Sequence, residues 1–287
     1  MADTPLDLKT VCIGPYDASI PVAFDIQYES VVLEGFALTS RGSADQVDLE
    51  SEAEDLRQRL QRGITDEAGA TRTLRWSETW ADARVLASDR SYDLPAPDPE
   101  GYDVTAFVRH RKGVFQLEGY VSFAREEAAL DVLRTVVETV RSGSGPGFCI
   151  DGGHYPGPLG SGSVSAVLRD PDVPRYAITV TITAGAHAPG AFAVERNLSP
   201  RARPREVGSA PGFEVRIVSD AVSDYEDEAM IRFTARAGYP AEPGEPHLNI
   251  AVTLSKDSTS ANAPPYDVAT SVAIWNTLLD SLQRRAQ

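Results

Sequence analysis

The residues best able to do chemistry stand close together near the middle of the chain, in the stretch GPGFCIDGGH at 145–154. Cys149, Asp151 and His154 offer a thiol, a carboxylate and an imidazole. A cysteine with a histidine base can act as a nucleophile, and the same three side-chain types are also metal ligands. The stretch is therefore either a catalytic or metal-binding loop, or a glycine-rich turn that follows a buried cysteine.

The rest of the sequence favours the structural interpretation. A structural zinc site needs four ligands, usually in close pairs, but the chain has only two cysteines, Cys12 and Cys149, far apart in sequence. No G-x-S-x-G, G-x-x-x-x-G-K-[ST] or H-E-x-x-H motif occurs. The histidines are scattered: His110, His154, His187 and His247. We predict no catalytic site, no metal and no cofactor, and keep a hydrolase built on Cys149, Asp151 and His154 as the alternative.

Charge argues against nucleic acid as a partner. The chain has 27 basic and 42 acidic side chains, a net charge of −15, whereas binding a phosphate backbone needs clustered cations. The acidic run SDYEDE at 223–228 lies between two alternating segments and is either a solvated hairpin loop or a recognition loop for a cationic surface. The candidate partner-binding residues are Asp224, Tyr225, Glu226, Asp227 and Glu228.

Hydrophobic spacing predicts the elements that must position these residues. Apolar residues recur at helical spacing over 49–60, 130–140 and 268–282, which predicts three amphipathic helices. Apolar and polar residues alternate over 24–29, 213–217 and 248–255, which predicts strands with one buried face. Such strands are typical of antiparallel sheets with helices on one side, so we predict an α+β fold. No apolar run is long enough to span a membrane.

The two halves of the chain repeat the same order of elements. Each opens with a cysteine-led segment and a Gly/Pro turn, and each closes with a hydrophobic strand and a long helix. This order indicates an ancient duplication, with RSGSGPG at 141–147 as the linker. We predict two related domains, 1–143 and 144–287, each a mainly antiparallel sheet with one or two helices packed on it.

Two short segments carry a family resemblance. TVCIGPYDASIP at 10–21 resembles the opening of the first domain of the immunity proteins that neutralise type VI secretion lipase effectors. GFCIDGG at 147–153, followed by a strand and PDVPRYAITVTI, is similar to the opening of that family's C-terminal domain. The two-domain layout and the length agree with the family, although a basic residue is more usual at the position of Pro15.

The resemblance implies a function without catalysis. Such proteins bind and inhibit a phospholipase effector of the α/β-hydrolase class, and two α+β domains close around it like a claw. The family acts in the periplasm, yet MADTPLDLKT at the N-terminus lacks the features of an export signal. We therefore expect a periplasmic protein if a signal peptide has been removed, and a cytoplasmic one otherwise. A small-ligand-binding protein is a further alternative, which a closed apolar cavity between the domains would favour.

The periplasmic address of the family bears on the cysteines. Two lone thiols in an oxidising compartment tend to pair, so the resemblance implies a disulfide between Cys12 and Cys149. Two buried, reduced cysteines in separate cores are the alternative, and a cytoplasmic protein would have them.

Overall fold

The structure is a computed structural model that describes residues 6–41, 48–67, 69–92, 100–110, 113–157, 159–172, 177–184, 201–208, 210–219, 230–238, 247–255 and 268–285. In these residues the helices are α1 (Leu49–Arg62), α2 (Glu126–Thr139) and α3 (Val268–Ser281), with a 3-10 turn at Phe123–Arg125. All three helices that the spacing predicts are confirmed, and α2 begins four residues before the predicted start.

The strands of the described residues are short to medium in length. In chain order they are β1 (Leu8–Ile13), β2 (Tyr16–Pro21), β3 (Asp25–Leu33), β4 (Phe36–Arg41), β5 (Ile64–Thr65), β6 (Ala70–Trp80), β7 (Ala83–Tyr92), β8 (Gly101–His110), β9 (Gly113–Ser122), β10 (Arg141–Ser142), β11 (Phe148–Ile150), β12 (Gly153–Tyr155), β13 (Gly162–Arg169), β14 (Ala177–Ala184), β15 (Arg203–Val207), β16 (Ala210–Ser219), β17 (Met230–Ala237), β18 (His247–Ser255) and β19 (Gln283–Arg284).

Contacts divide the chain into two compact units. Unit 1 consists of Met1–Glu29, Gly147–Ile150 and Leu159–Gln287, and unit 2 of Ser30–Pro146 and Asp151–Pro158. This division differs from a boundary at 143/144 because the first 29 residues group with the second half of the chain. Compact units and duplicated domains are different properties, so the domains 1–143 and 144–287 stay a prediction.

Unit 1 is built on an antiparallel sheet in the order β15-β16-β17-β18-β14-β13. Alternate residues of these strands form its buried face, because successive side chains of a strand point to opposite sides. The largest contributors are Val164, Leu168, Ile178, Val180, Ile182, Phe233, Leu248, Ile250 and Val252, each at most 1% exposed. A second, smaller sheet has the order β1-β2-β19, and α3 packs against β2.

A buried polar cluster ties α3 to the sheet of unit 1. Trp275 is fully buried, lies 5.7 Å from Phe233 between ring centroids, and donates from Nε1 to Glu214 Oε2 at 3.2 Å. Arg216 donates to the same carboxylate at 3.0 Å and to Asn276 Oδ1 at 2.7 Å. The Glu214 carboxylate is 6% exposed, and these two donors compensate the cost of its burial.

Unit 2 contains an antiparallel sheet in the order β4-β9-β8-β7-β6-β5, with the end of β3 paired to β4. Helix α1 covers one end of one face through a cluster of buried apolar residues. Its members are Leu49, Ala53 and Leu60 of the helix and Leu86, Phe107 and Val114 of the sheet. The strand register puts the contacts of α2, such as Arg134 with Trp80, on the opposite face.

Both ends of α1 have the residues that helix termini require. Asp48 caps the N-terminus by accepting from the Ser51 backbone N–H at 3.1 Å. Gly63, with φ of +84°, ends the helix in a conformation that side-chain-bearing residues rarely adopt. Acidic residues in the first turn and arginines in the last turn complement the helix dipole.

The antiparallel sheets and the three helices of the described residues confirm the α+β class expected from the sequence. In the described residues no helix is both long and apolar enough to cross a membrane.

Candidate functional site

The predicted recognition run at 223–228 lies in the sequence between β16 and β17. Strands β16 and β17 pair antiparallel up to Ser219 and Met230, so residues 220–229 connect them. Asp224, Tyr225, Glu226, Asp227 and Glu228 fall in that connection and lie outside the described residues. Their role in partner binding stays a prediction.

The two cysteines meet within unit 1. Cys12 and Cys149 form a disulfide with a Cα–Cα distance of 5.9 Å across 137 positions of sequence. The Cys149 backbone N–H donates to the Gly14 carbonyl at 2.7 Å, and the Tyr28 hydroxyl donates to the Cys12 carbonyl at 2.6 Å. The backbone of each cysteine is therefore held by a hydrogen bond, from Cys149 to the Gly14 carbonyl and to Cys12 from the Tyr28 side chain.

Gly14, two residues after Cys12, occupies a crowded position with a positive φ. Its φ is +54°, and a Cβ at this position would lie 2.8 Å from Val164 Cγ1 and 3.3 Å from the Phe148 ring. Only glycine combines this conformation with so close an approach of neighbouring side chains. The sequence contains the glycine, but nothing local to it indicates the contact with Val164.

The segment that follows α3 returns to the N-terminal hairpin. Strand β19 pairs with β2, and the Arg285 backbone N–H donates to the Pro15 carbonyl at 2.9 Å. The Arg285 guanidinium donates to Asp17 Oδ1 at 2.7 Å and to Cys12 Sγ at 2.8 Å. Arg285 therefore contacts the hairpin at three points, a role that its place in a polar C-terminal segment did not indicate.

The alternative catalytic cluster lacks its nucleophile. Cys149 is 3% exposed and bonded to Cys12, so it has no thiol to form a thiolate. His154 is 8% exposed; its Nδ1 lies 3.0 Å from the Gly143 carbonyl, and a Cβ at Gly145 would overlap the imidazole. Across the described ranges, no group of three or more His, Cys, Asp or Glu residues is placed to hold a metal ion.

A continuous row of aromatic rings lies on the α2 side of the unit 2 sheet. The centroid distances are 6.4 Å from Trp80 to Trp76, 6.2 Å from Trp76 to Tyr102 and 5.8 Å from Tyr102 to Phe123. Tyr102 is fully buried and Trp80 is 8% exposed, whereas Trp76 is half-buried and Phe123 is 40% exposed. This aromatic row therefore starts in the core of unit 2 and reaches the surface at Phe123.

Two arginines lie over the aromatic row, one near each end. The Arg75 guanidinium is 5.0 Å from the Tyr102 centroid and 5.2 Å from that of Phe123. Arg134 of α2 is 4.8 Å from the Trp80 centroid. All three distances are in the range of cation–π interactions.

A β-bulge gives Arg75 its direction. Leu74 pairs with Ser88 and Trp76 with Ala87, so Arg75 is an extra residue with no cross-strand partner in the pairing. A bulge changes the face to which a side chain points. Arg75 thereby contacts the rings on the same face as Trp76, although strict alternation would send neighbouring residues to opposite faces.

Four carboxylates surround the aromatic row. Glu78 accepts from Trp80 Nε1 at 2.8 Å, and Glu126 accepts from the Tyr102 hydroxyl at 2.7 Å. The ion pairs are Arg75–Asp89 at 3.0 Å and Arg134–Asp131 at 3.3 Å. Burial raises the pKa of the Tyr102 hydroxyl, and the Glu126 hydrogen bond raises it further, so the hydroxyl stays a donor at neutral pH. With four acids and two arginines, these groups carry a net charge of −2.

The opposite face of the same sheet has a different character. Tyr92 and Tyr120 are 50% and 58% exposed, and Tyr120 pairs across the strands with Asp103. The Asp103 carboxylate accepts from Arg90 at 2.9 Å and lies 3.3 Å from Arg72. Two arginines share one carboxylate, so this trio carries a net positive charge within an acidic protein.

Comparison with known proteins finds relatives at the level of the fold. No protein-family model matches the chain, and neither does any curated protein. A chain of the Tle4–Tli4 complex crystal structure superposes with a TM-score of 0.76 at 20% identity, covering 97% of both chains.

Two structures of an immunity protein of the type VI secretion system, TplEi from Pseudomonas aeruginosa, have the same fold. The apo form gives a TM-score of 0.76 at 19% identity and 97% coverage of both chains. The form complexed with an "L" peptide gives 0.72 at 17% identity, covering 98% of this chain and 99% of that one. The resemblance that the two cysteine-led segments indicated is therefore confirmed at the level of the fold.

Proposed function

We propose that this chain is an immunity protein that binds and inhibits a lipase effector of a type VI secretion system. The observation that carries the proposal is a fold shared with an immunity protein of that system over 97% of both chains. A further neighbour was crystallised in the Tle4–Tli4 complex. Protection of the producing cell and its kin would follow from occupation of the effector.

The proposed mechanism is binding without turnover. The two domains close like a claw around an α/β-hydrolase effector and block its lid or substrate entrance, so the protein itself is not an enzyme. The disulfide between Cys12 and Cys149 supports a periplasmic location, because such bonds persist in oxidising compartments and are rare in the cytosol. Within this proposal the run Asp224–Glu228 contacts a cationic surface of the effector.

The two alternatives make different demands. A hydrolase centred on Cys149, Asp151 and His154 needs a free thiol at Cys149, which the disulfide removes. A small-ligand-binding protein needs a specific ligand that raises the melting temperature. The lipase-binding proposal needs neither of these.

The test starts from the genes that flank this one, and any lipase encoded there is co-expressed with the chain. The two proteins should co-purify, and the purified chain should abolish phospholipid hydrolysis by that lipase at about one-to-one stoichiometry. The chain alone should hydrolyse neither phospholipids nor simple esters. Turnover by the chain alone that is lost in His154→Ala, or full lipase activity at excess chain, contradicts the proposal.

The acidic run has its own test. Charge reversal of Asp224, Glu226, Asp227 and Glu228 to lysine should lower the association rate constant by about tenfold, because steering by charge acts on encounter. The matched control reverses four exposed acids in and just after α1 (Glu50, Glu54, Asp55 and Glu67). Equal association rate constants for the two variants would mean that the acidic run serves solubility and does not contact the effector.

A further inference from the structure

We propose that the aromatic row and the adjoining surface of α2 form a contact site for a basic segment of the effector, which binds through lysine or arginine and an apolar side chain. This inference rests on the proposed function and names a site and a chemistry within it. The row consists of Trp80, Trp76, Tyr102 and Phe123, with Arg75 and Arg134 over the rings.

The first argument is the exposed apolar surface. Phe123 is 40% exposed and Trp76 is half-buried, so two rings of the row reach solvent. Ala124, which follows Phe123 in the 3-10 turn, is exposed as well. Adjacent exposed apolar residues with a polar rim mark interaction sites.

The second argument is the type of residue. Trp, Tyr and Arg dominate the binding energy of protein interfaces, and aromatic residues are enriched at their centres. Trp76, Phe123 and Arg75 are the members of this set that reach solvent, and the bulge in β6 directs Arg75 onto the rings of Tyr102 and Phe123. Arg75 is exposed, so its guanidinium remains accessible to a partner.

The third argument is charge. Glu78, Asp89, Glu126 and Asp131 outnumber the two arginines of the row, and Asp131 and Asp89 remain 67% and 42% exposed. A carboxylate accepts several hydrogen bonds, so those engaged with one donor can receive another from a cationic partner. The complement of this surface is therefore a lysine- or arginine-bearing segment. The opposite face of the sheet, with Arg72 and Arg90 on Asp103, would repel it.

The fourth argument is preorganisation. The Trp80 and Tyr102 donors already have acceptors in Glu78 and Glu126, and ring contacts hold both arginines. Binding therefore orders few additional side chains, which lowers the entropic cost of association. Trp76 and Phe123 are the rings that a partner can reach, and the buried Trp80 and Tyr102 support them from the core.

The charge test uses amide substitutions that keep the hydrogen-bond acceptors. Glu78→Gln with Glu126→Gln retains an oxygen for Trp80 and Tyr102 but removes two charges. The matched control is Glu50→Gln with Glu54→Gln, two exposed ion-paired acids of α1. With the lipase that passes the inhibition test, the first pair should slow association by about threefold or more and reduce its salt dependence, whereas the control should not.

The apolar test compares two exposed aromatic residues of unit 2. Phe123→Ala should raise the Kd for the lipase by about tenfold or more, as truncation of an anchor does, whereas Tyr120→Ala on the opposite sheet face should leave it unchanged. Melting temperatures of all variants identify any loss of folding. If Phe123→Ala does not fold, Phe123→Leu, which removes the ring but keeps an apolar side chain, repeats the comparison against Tyr120→Leu.

The outcomes separate the two proposals. A wild-type chain that does not bind the lipase contradicts the proposed function. A wild-type chain that binds, with folded row variants that associate as fast and as tightly as their controls, overturns the aromatic row as the contact site. Selective weakening of binding by both row variants establishes it.

Discussion

The Arg285 guanidinium donates a 2.7 Å hydrogen bond to the Asp17 carboxylate, although 268 positions separate the two residues in sequence. The pair joins the segment after α3 to the N-terminal hairpin β1–β2. Its side chains are 16% and 42% exposed, so solvent screens the interaction only in part.

The contacts of Arg285 predict that shortening its side chain lowers the stability of the protein. Arg285→Ala removes the donors to Asp17 and Cys12 and should lower the free energy of unfolding by about 1–2 kcal/mol. Arg203→Ala, at an exposed position of β15, is the matched control and should change it by less than about 0.5 kcal/mol. Urea denaturation of both variants measures the difference, and equal midpoints would mean that Arg285 contributes nothing.

The disulfide predicts that the unfolded, unreduced protein has no reactive thiol. Titration with a thiol reagent in denaturant should find none in the monomer and two after reduction. The bridge closes a loop of well over 100 residues, so the chain-entropy model gives it about 4–5 kcal/mol of stabilisation. Denaturation with and without reductant measures that contribution.

A paired substitution checks the source of this stabilisation. Cys12→Ser with Cys149→Ser should match the reduced wild type in stability and should not respond to reductant. Two free thiols in the unreduced wild type would refute the bridge and would remove the support it gives to a periplasmic location.

Gly14 predicts a packing cost beyond the backbone cost. Gly14→Ala should lower the free energy of unfolding by about 2–4 kcal/mol, from the positive φ and from the approach to Val164 and Phe148. Gly35 has a φ of +88° with open space around it, so Gly35→Ala bears only the backbone cost, about 1 kcal/mol. In thermal or urea unfolding, Gly14→Ala should lose more stability than Gly35→Ala, and the difference is the cost of the packing contacts. Equal losses would mean that the approach to Val164 and Phe148 contributes nothing.

Tyr102 predicts a particular pH dependence of stability. Its pKa is raised in the folded state, so its contribution is fully present below pH 10 and is lost as the pH rises toward the folded pKa. Between pH 9 and 11 the wild type should lose up to about 1.4 kcal/mol per pH unit more than Tyr102→Phe. Urea denaturation across this range is the measurement, and parallel curves would show that Tyr102 ionises freely.

Local pattern was sufficient for the elements and the fold class. The apolar spacing in 49–60, 130–140 and 268–282 identified all three helices because each buries one face against a sheet. The alternation in 248–255 identified β18 for the corresponding reason, because Leu248, Ile250 and Val252 form its buried face. The alternation in 213–217 identified β16 but not the face it turns toward α3, which carries Glu214 and Arg216. The cysteine-led segments indicated the fold family because each combines a cysteine with a glycine turn.

Long-range contacts were beyond such patterns. Nothing in residues 6–29 indicates that they pack with the second half of the chain, because that grouping depends on contacts with segments such as 147–150. The aromatic row likewise assembles Trp80, Trp76, Tyr102 and Phe123 from separate strands and a turn. The contact of Arg75 with the rings depends on a bulge in β6, and no residue near Arg75 indicates that bulge in the sequence.

Unit 1 is made from both ends of the chain, and this sets an order of events during synthesis. The ribosome synthesises Cys12 long before Cys149, so Cys12 has no cysteine to pair with until residues 30–146 have been made. The β1–β2 hairpin likewise cannot form its contacts with α3 and β19 until those segments have been synthesised. Because the chain has two cysteines, only one intramolecular pairing exists. Oxidative folding of the monomer therefore needs an oxidant that accepts two electrons from the two thiols, and no enzyme that reshuffles wrong bonds.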